Sequence, residues 1–312
     1  MAEATPHTFF SGASLVWRRQ RILWLLYIVN FVIVSVATYD TKLRVGKILN
    51  HRLAADRLLH GFNVGAMAEL GAHPELPFQG FHSGLLHSSL LFTLCMIFAT
   101  GGILAMYYSG ERLRAGDFFE ACGHHFWRFF RLTLYLLLVL IPVGILAGIT
   151  GRFYDRIDKQ SISPMPAVHF IEAAVVVILL LLLFIRVWFD MAQVIAVAED
   201  ERRMGKALRR AASLLRHNFG SLVWLYLRVS VLAWIVFAAG LHIWMMHLRP
   251  DAIVAPFLLS QFIVVFWLAC RLWQRASESI WYREHQRAIA AAAPAYEPPP
   301  SAPQEPLPAS TT

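Results

Sequence analysis

Six stretches of this chain are each long and apolar enough to cross a bilayer, and no soluble fold accommodates that pattern. They run Ile22–Tyr39, Leu86–Tyr107, Leu132–Thr150, Val168–Phe189, Leu222–Ile243 and Ile253–Trp273. A run of roughly 20 apolar residues suffices to span the hydrocarbon core. Charged side chains make up 15% of the 312 residues, where an ordinary soluble domain carries about 25%. A soluble globular protein is excluded. The fold class expected is all-α, a polytopic membrane bundle of six transmembrane helices with interfacial amphipathic helices. Residues 1–21 then form an N-terminal segment, 22–275 the membrane domain and 276–312 a tail. The small residues Ser35-Val36-Ala37 resemble a leader-peptide cleavage site. The long segment ahead of the first run and the length of the run itself argue instead for an uncleaved helix, since a leader core spans about 7–15 residues.

Orientation follows from the basic residues, which accumulate on the cytoplasmic side of membrane proteins. With the N-terminus inside, 17 of the 26 Lys and Arg residues outside the apolar cores fall on the cytoplasmic side. Both termini are therefore expected in the cytoplasm, with the chain in the bacterial inner membrane. The first external loop, Asp40 to His82, carries Val45, Ile48, Leu49 and Leu53 at helical spacing, a pattern expected to lie on the outer surface. Seven of the fifteen prolines lie beyond residue 290, so the end of the tail is expected to be disordered.

Two hairpins repeat one plan, residues 86–150 and 168–243. Each reads span, amphipathic segment, span, and Gly116 of the first matches Gly205 of the second. In the first, Phe118, Phe119, Cys122, Phe126, Phe129 and Phe130 share a helical stripe that suits either the inner leaflet or a packed core. In the second, Met204, Leu208, Ala211 and Leu215 form the stripe, ringed by Arg202, Arg203, Lys206, Arg209, Arg210 and Arg216. Those six cations are the expected contacts for anionic lipid headgroups. The net charge of +8 is concentrated at such membrane edges and accompanies no nucleic-acid-binding motif, so nucleic acid is not an expected partner.

Several of these stretches carry a family likeness. LAADRLLHGFNVGAMAEL (Leu53–Leu70), the GGILA of Gly101–Ala105, the residues Arg186, Asp190, Glu199 and Asp200 around the end of the fourth span, and GKALRRAASLLR after them resemble a group of uncharacterised bacterial multi-pass integral membrane proteins. The last element is also similar to the membrane domain attached to some glycerophosphodiester phosphodiesterases. The resemblance implies a fold and a compartment. It carries over no catalytic residue, because the phosphodiesterase domain itself is missing from this sequence.

No phosphate-binding loop, nucleophile elbow, H-E-x-x-H or paired C-x-x-C motif occurs, so no enzyme activity and no cofactor are expected. Cys95, Cys122 and Cys270 are scattered without metal or disulfide spacing, and His51, His60, His73, His82 and His87 lack the spacing of a metal site. Attention falls on polar groups inside the apolar runs, which are costly unless paired or hydrated. Arg186 and Asp190 stand four apart on one helical face, and Arg228 lies about 10 Å into the next span. These three form the expected intramembrane cluster. Asn30, Gln261, Glu172 and His242 are further polar residues within spans. Gly144 and Gly148 form a GxxxG, and Gly101 and Gly102 open a second small-residue run. Both mark close helix packing, within the bundle or in a homo-oligomer.

The expected function is a non-enzymatic membrane scaffold or accessory component that engages inner-leaflet lipids and other membrane proteins. The alternative is a transporter or permease-like protein using Arg186, Asp190 and Arg228. A water-accessible cavity reaching Asp190 discriminates in favour of transport. The orientation is tested by fusing compartment-specific reporters to Thr312 and to the loop containing Arg156. The fusions should report opposite sides, with Thr312 cytoplasmic; a periplasmic signal at Thr312 overturns the assignment.

Overall fold

A computed structural model describes residues 6–49, 78–110, 114–160, 165–247 and 254–292. Every regular element among them is an α-helix: α1 (Pro6–Arg18), α2 (Gln20–Leu49), α3 (Phe78–Ser109), α4 (Ala115–Gln160), α5 (Met165–Ala198), α6 (Met204–His247) and α7 (Val254–Ala292). The last six are long and apolar enough to cross a membrane. Their outer faces carry large side chains that water would not tolerate in such number, such as Leu137, Leu138, Val177 and Leu180.

The helices outrun the bilayer. α4 has 46 residues and α6 has 44; at 1.5 Å per residue each exceeds about 60 Å, twice a hydrocarbon core of about 30 Å. The extra length is the pair of amphipathic segments: the first is a helical extension of span three, and the second joins span five across a kink at Asn218. Their stripes are core. Phe118, Cys122 and Phe129 are buried, as are Met204, Ala207, Ala211 and Leu215. Phe119 is the exception in the first stripe and is exposed. In the second, the Trp188 indole donates to the Leu208 carbonyl at 2.8 Å, fastening α6 to α5. α6 bends at Asn218, where φ −125° and ψ 28° leave the helical region.

The first and last described helices pack against each other. α1 packs on the second half of α7: the Trp273 indole donates to the Phe9 carbonyl at 2.7 Å, and Gly12 sits so close to Ser277 that a β-carbon would overlap its hydroxyl. Arg19, between α1 and α2, donates to the Met106 and Gly110 carbonyls at the end of α3. A guanidinium there also suits the negative end of the helix dipole. α2 runs on to Leu49, so the helical pattern at 45–49 prolongs the first span; residues 50–77, with Leu53 and three of the loop histidines, lie outside the described residues. So does the tail from 293 onward. Residues 276–292, expected to lie in the tail, continue α7.

Consecutive helices α3, α4, α5, α6 and α7 pack side by side, and α7 closes on α3 to complete a five-helix ring, with α2 outside against α3 and α7. Two glycines set the contact of α3 with α4. A β-carbon on Gly102 would lie 2.6 Å from Cys122 Sγ and 2.7 Å from Phe118, and one on Gly101 would lie 2.9 Å from His125 Cβ. Gly144 and Gly148 differ: a β-carbon on either meets nothing within 4 Å, and both are exposed on α4. Intramolecular packing is therefore carried by Gly101 and Gly102, not by the GxxxG. Gly102→Val should destabilise the protein in detergent by about 1–3 kcal/mol through overpacking, while Gly148→Ala should leave the melting temperature within about a degree. Thermal unfolding followed by circular dichroism checks both.

Candidate functional site

The centre of the five-helix ring is hollow. A cavity of about 530 Å³ is lined by residues of α3, α4, α5, α6 and α7, a size ordinary for small-molecule sites. It is elongated: Leu182 and Gln193 both line it, some 16 Å apart along α5 at ~1.5 Å per residue. Its two ends differ in chemistry. The end nearer the chain termini is floored by Arg186, Asp190, Gln193, Arg271, Gln274 and Arg275. Towards the middle of the spans the walls become Leu136, Leu140, Leu182, Trp234 and Trp267.

Asp190 organises the floor. It is 9% exposed, and its carboxylate meets Arg275 Nη2 at 2.8 Å, Arg186 Nε at 3.7 Å and the donating Tyr226 hydroxyl at 3.2 Å. Three helices thus converge on one side chain. A carboxylate this deep requires such partners, because an unpaired buried charge is expensive. Arg186 also donates to Gln274 Oε1 at 2.8 Å. Behind the floor, Glu278 is fully buried with its Oε2 3.8 Å from Arg275 Nη1. Arg275 is therefore held between two acidic side chains.

Not every group on the floor is satisfied. Gln274 is 3% exposed and its Nε2 has no hydrogen-bond partner; Arg275 Nη1 is likewise buried without one. The Arg271 side chain is exposed to the cavity and has no ion pair or hydrogen bond among the described residues. Three guanidinium groups face the cavity against the single carboxylate of Asp190, leaving two positive charges in excess.

The cluster expected from the sequence is thus redrawn. Arg186 and Asp190 belong to it, but Arg228 does not: its guanidinium lies over the Trp224 ring, 4.8 Å from the centroid, on the far side of α6 from the cavity lining. The residue that reaches Asp190 from a neighbouring helix is Arg275. Gln274, Arg275 and Glu278 lie beyond Trp273, where the sixth apolar run ends, and Arg271 counts among the basic residues at its cytoplasmic edge. A signal was there: no glycine or proline interrupts residues 257–293, and 271, 275 and 278 fall on one helical face.

The remaining candidates are structural or peripheral. Gln261 accepts from the Tyr27 hydroxyl at 2.9 Å, linking α2 to α7, and Glu172 lies 3.3 Å from His169 at an exposed position. His242 is exposed near His247, and Asn30 is half-buried. All six cations of the α6 extension point outward. Lys206 pairs with Glu201 at 2.8 Å and Arg210 pairs with Glu199. Arg202, Arg203, Arg209 and Arg216 keep side chains without ion pairs among the described residues.

A second polar cluster ties α4 to the end of α5. His124, His125 and Asp200 approach one another with metal-like spacing. Arg128 takes the cation's place, with Nη1 2.5 Å from Asp200 Oδ1 and Nη2 3.1 Å from His124 Nε2. Asp200 itself follows α5 in the left-handed region, φ 48°, a conformation aspartate adopts more readily than most residues. Hydrogen bonds from Arg128 and His124 hold its carboxyl down at about 2, below the ordinary 3.8. The folded value is the lower one, so its contribution to stability is present above 3.8 and is lost as pH falls through about 2.

Comparison with known proteins gives no match to this chain among protein-family models, curated proteins or solved structures. The geometry alone carries the functional argument. Its pairing can be tested: Asp190→Asn strands Arg275 and should cost about 3–5 kcal/mol. Adding Arg275→Gln should recover part of that loss in thermal unfolding, whereas adding Arg228→Gln should recover none. Rescue by Arg228→Gln instead would refute the assignment of partners.

Proposed function

We propose that this is a transporter or permease-like protein of the bacterial cytoplasmic membrane, which takes an anionic solute into the centre of its bundle. The observation that carries this is the cavity floored by Arg186, Arg271 and Arg275 against one carboxylate. A purely structural lock between helices needs no hollow and no surplus of charge. Here a space of about 530 Å³ reaches Asp190, and the Arg186 and Arg271 side chains are exposed at its floor. An anion supplies what the floor lacks, since charge-assisted hydrogen bonds to guanidinium and amide groups are among the strongest available. The apolar walls lower the local dielectric and strengthen that attraction.

A scaffold role has its own support in the four outward cations Arg202, Arg203, Arg209 and Arg216, which are placed to meet anionic headgroups while the apolar face of their helix packs on α5. The two roles are compatible, because one concerns the rim and the other the interior. Nothing in the cavity resembles a nucleophile paired with a base, so catalysis is not proposed.

Selective thiol chemistry tests the interior. Ser230 lines the cavity and is half-buried, so Ser230→Cys in a chain whose Cys95, Cys122 and Cys270 are replaced gives one reporter. A negatively charged thiosulfonate reagent should modify it at least tenfold faster than a positively charged one of similar size. Arg271→Gln should shrink that preference. In oriented vesicles, modification from both faces supports permeation; modification from one face alone overturns the permease reading and leaves a binding protein.

A further inference from the structure

The walls above the arginine floor say more about the solute than its charge. Three threonines, Thr93, Thr100 and Thr133, line the cavity, yet each hydroxyl donates to a carbonyl of its own helix: Ser89, Met96 and Phe129 respectively. Their donors are spent, so these side chains offer the cavity little beyond methyl groups and lone pairs. Around them stand Leu136, Leu140, Leu182, Trp234 and Trp267. A compact, fully hydrated anion gains nothing from such a lining and must shed water to enter it. An alkyl chain is favoured there in proportion to the apolar surface it buries.

The gradient is ordered along the bundle. Charged and amide donors lie at one end of an elongated space, apolar surface fills the other, and the apolar end lies nearer the middle of the spans. On the reading that the cavity takes an anion, we infer that its occupant is an amphipath: one oxyanion head, phosphate or carboxylate, seated among Arg186, Arg271, Gln274 and Arg275, with one alkyl chain lying along the walls towards Trp234 and Trp267. Arg271 is the residue that commits to the head, because Arg186 and Arg275 are already engaged with Asp190 whereas Arg271 has no ion pair or hydrogen bond among the described residues. A head there meets the Arg186 and Arg271 side chains, which are exposed at the floor.

Trp234 and Trp267 report on the chain directly. The full-length protein in nanodiscs of zwitterionic phosphatidylcholine is titrated with dodecyl phosphate brominated at its terminal carbon, and tryptophan fluorescence is followed. Saturable quenching is expected, at least tenfold stronger in apparent affinity than with the equally brominated neutral alcohol. It should vanish when Trp234 and Trp267 are both replaced by Phe, and weaken about tenfold in Arg271→Gln, with Arg271→Lys recovering part. Arg271 makes no ion pair or hydrogen bond among the described residues, so its replacement should leave the fold intact; a melting curve verifies this. Equal quenching by the neutral alcohol shows no head recognition and overturns the inference. Displacement of the probe by inorganic phosphate at the same concentration shows that the chain adds nothing, which also overturns it while leaving an anion site in place. Absence of any binding together with absence of charge selectivity at Ser230→Cys removes the anion reading itself. Phosphatidic acid doped into the disc displaces the probe if the bilayer supplies the ligand; displacement only by single-chain phosphates added from solution identifies a free amphiphile, and either result upholds the class.

Discussion

The contact on which the architecture turns is that of Arg275 with Asp190, a 2.8 Å ion pair between α7 and α5 inside a membrane-spanning bundle. Breaking such a pair by removing one partner is far more damaging than never having built it. Its neighbours follow from that constraint. Tyr226 donates from α6, Arg186 approaches from one turn earlier on α5, and Gln274 accepts from Arg186. The segments that supply these groups are also the most thoroughly buried: residues 189–196 of α5 and 276–282 of α7 are almost entirely enclosed. The outer halves of the same helices are lined with lipid-facing Leu, Ile, Val and Trp and bury far less. Specific packing is concentrated at the end that carries the termini, and the cavity opens above it.

The fold class was legible because it rests on a single large effect. Six apolar runs leave helices as the only way to satisfy backbone hydrogen bonds in hydrocarbon. Where each helix stops was less legible, because apolarity marks the bilayer and not the helix. The amphipathic segments 115–131 and 204–217 read as separate surface helices. Nothing breaks the backbone ladder after the first, and propagation is favourable once a helix has formed, so α4 extends through it; the second is set off from the fifth span by the non-helical Asn218. Their apolar stripes are spent on protein contacts, with Ala207 and Ala211 fully buried and small enough to let α6 lie close to its neighbours.

The site was half visible for a related reason. Arg186 and Asp190 share one helix, and a spacing of four is readable from sequence. Arg275 lies 85 positions further on and pairs with Asp190 only through the closure of the helical ring. Arg228 was the nearer candidate along the chain, but helical phase decides which face a residue takes. Val229, Ser230 and Ala233 line the cavity, so Arg228 faces another way and rests on Trp224. The same logic separates the glycines: Gly101 and Gly102 sit where α3 meets α4, while Gly144 and Gly148 have the familiar spacing on a face that meets no neighbour among the described residues.

The balance of charge is what distinguishes this interior from a lock. A structural ion cluster in a poorly hydrated place is cheapest when its charges cancel, because each uncompensated charge carries a desolvation penalty of several kcal/mol. The cavity surface instead presents three guanidinium groups to one carboxylate, and counting Glu278 as ionised behind them still leaves an excess of one. Guanidinium groups do not relieve this by losing a proton. The surplus is sustained because Arg186 and Arg271 keep much of their surface open to the hollow, where solvent or a ligand screens them. Filling that space with a neutral apolar group would leave the excess charge worse off, whereas an oxyanion would relieve it. The hollow and the unbalanced charge are thus the two features that the proposed anion would resolve together.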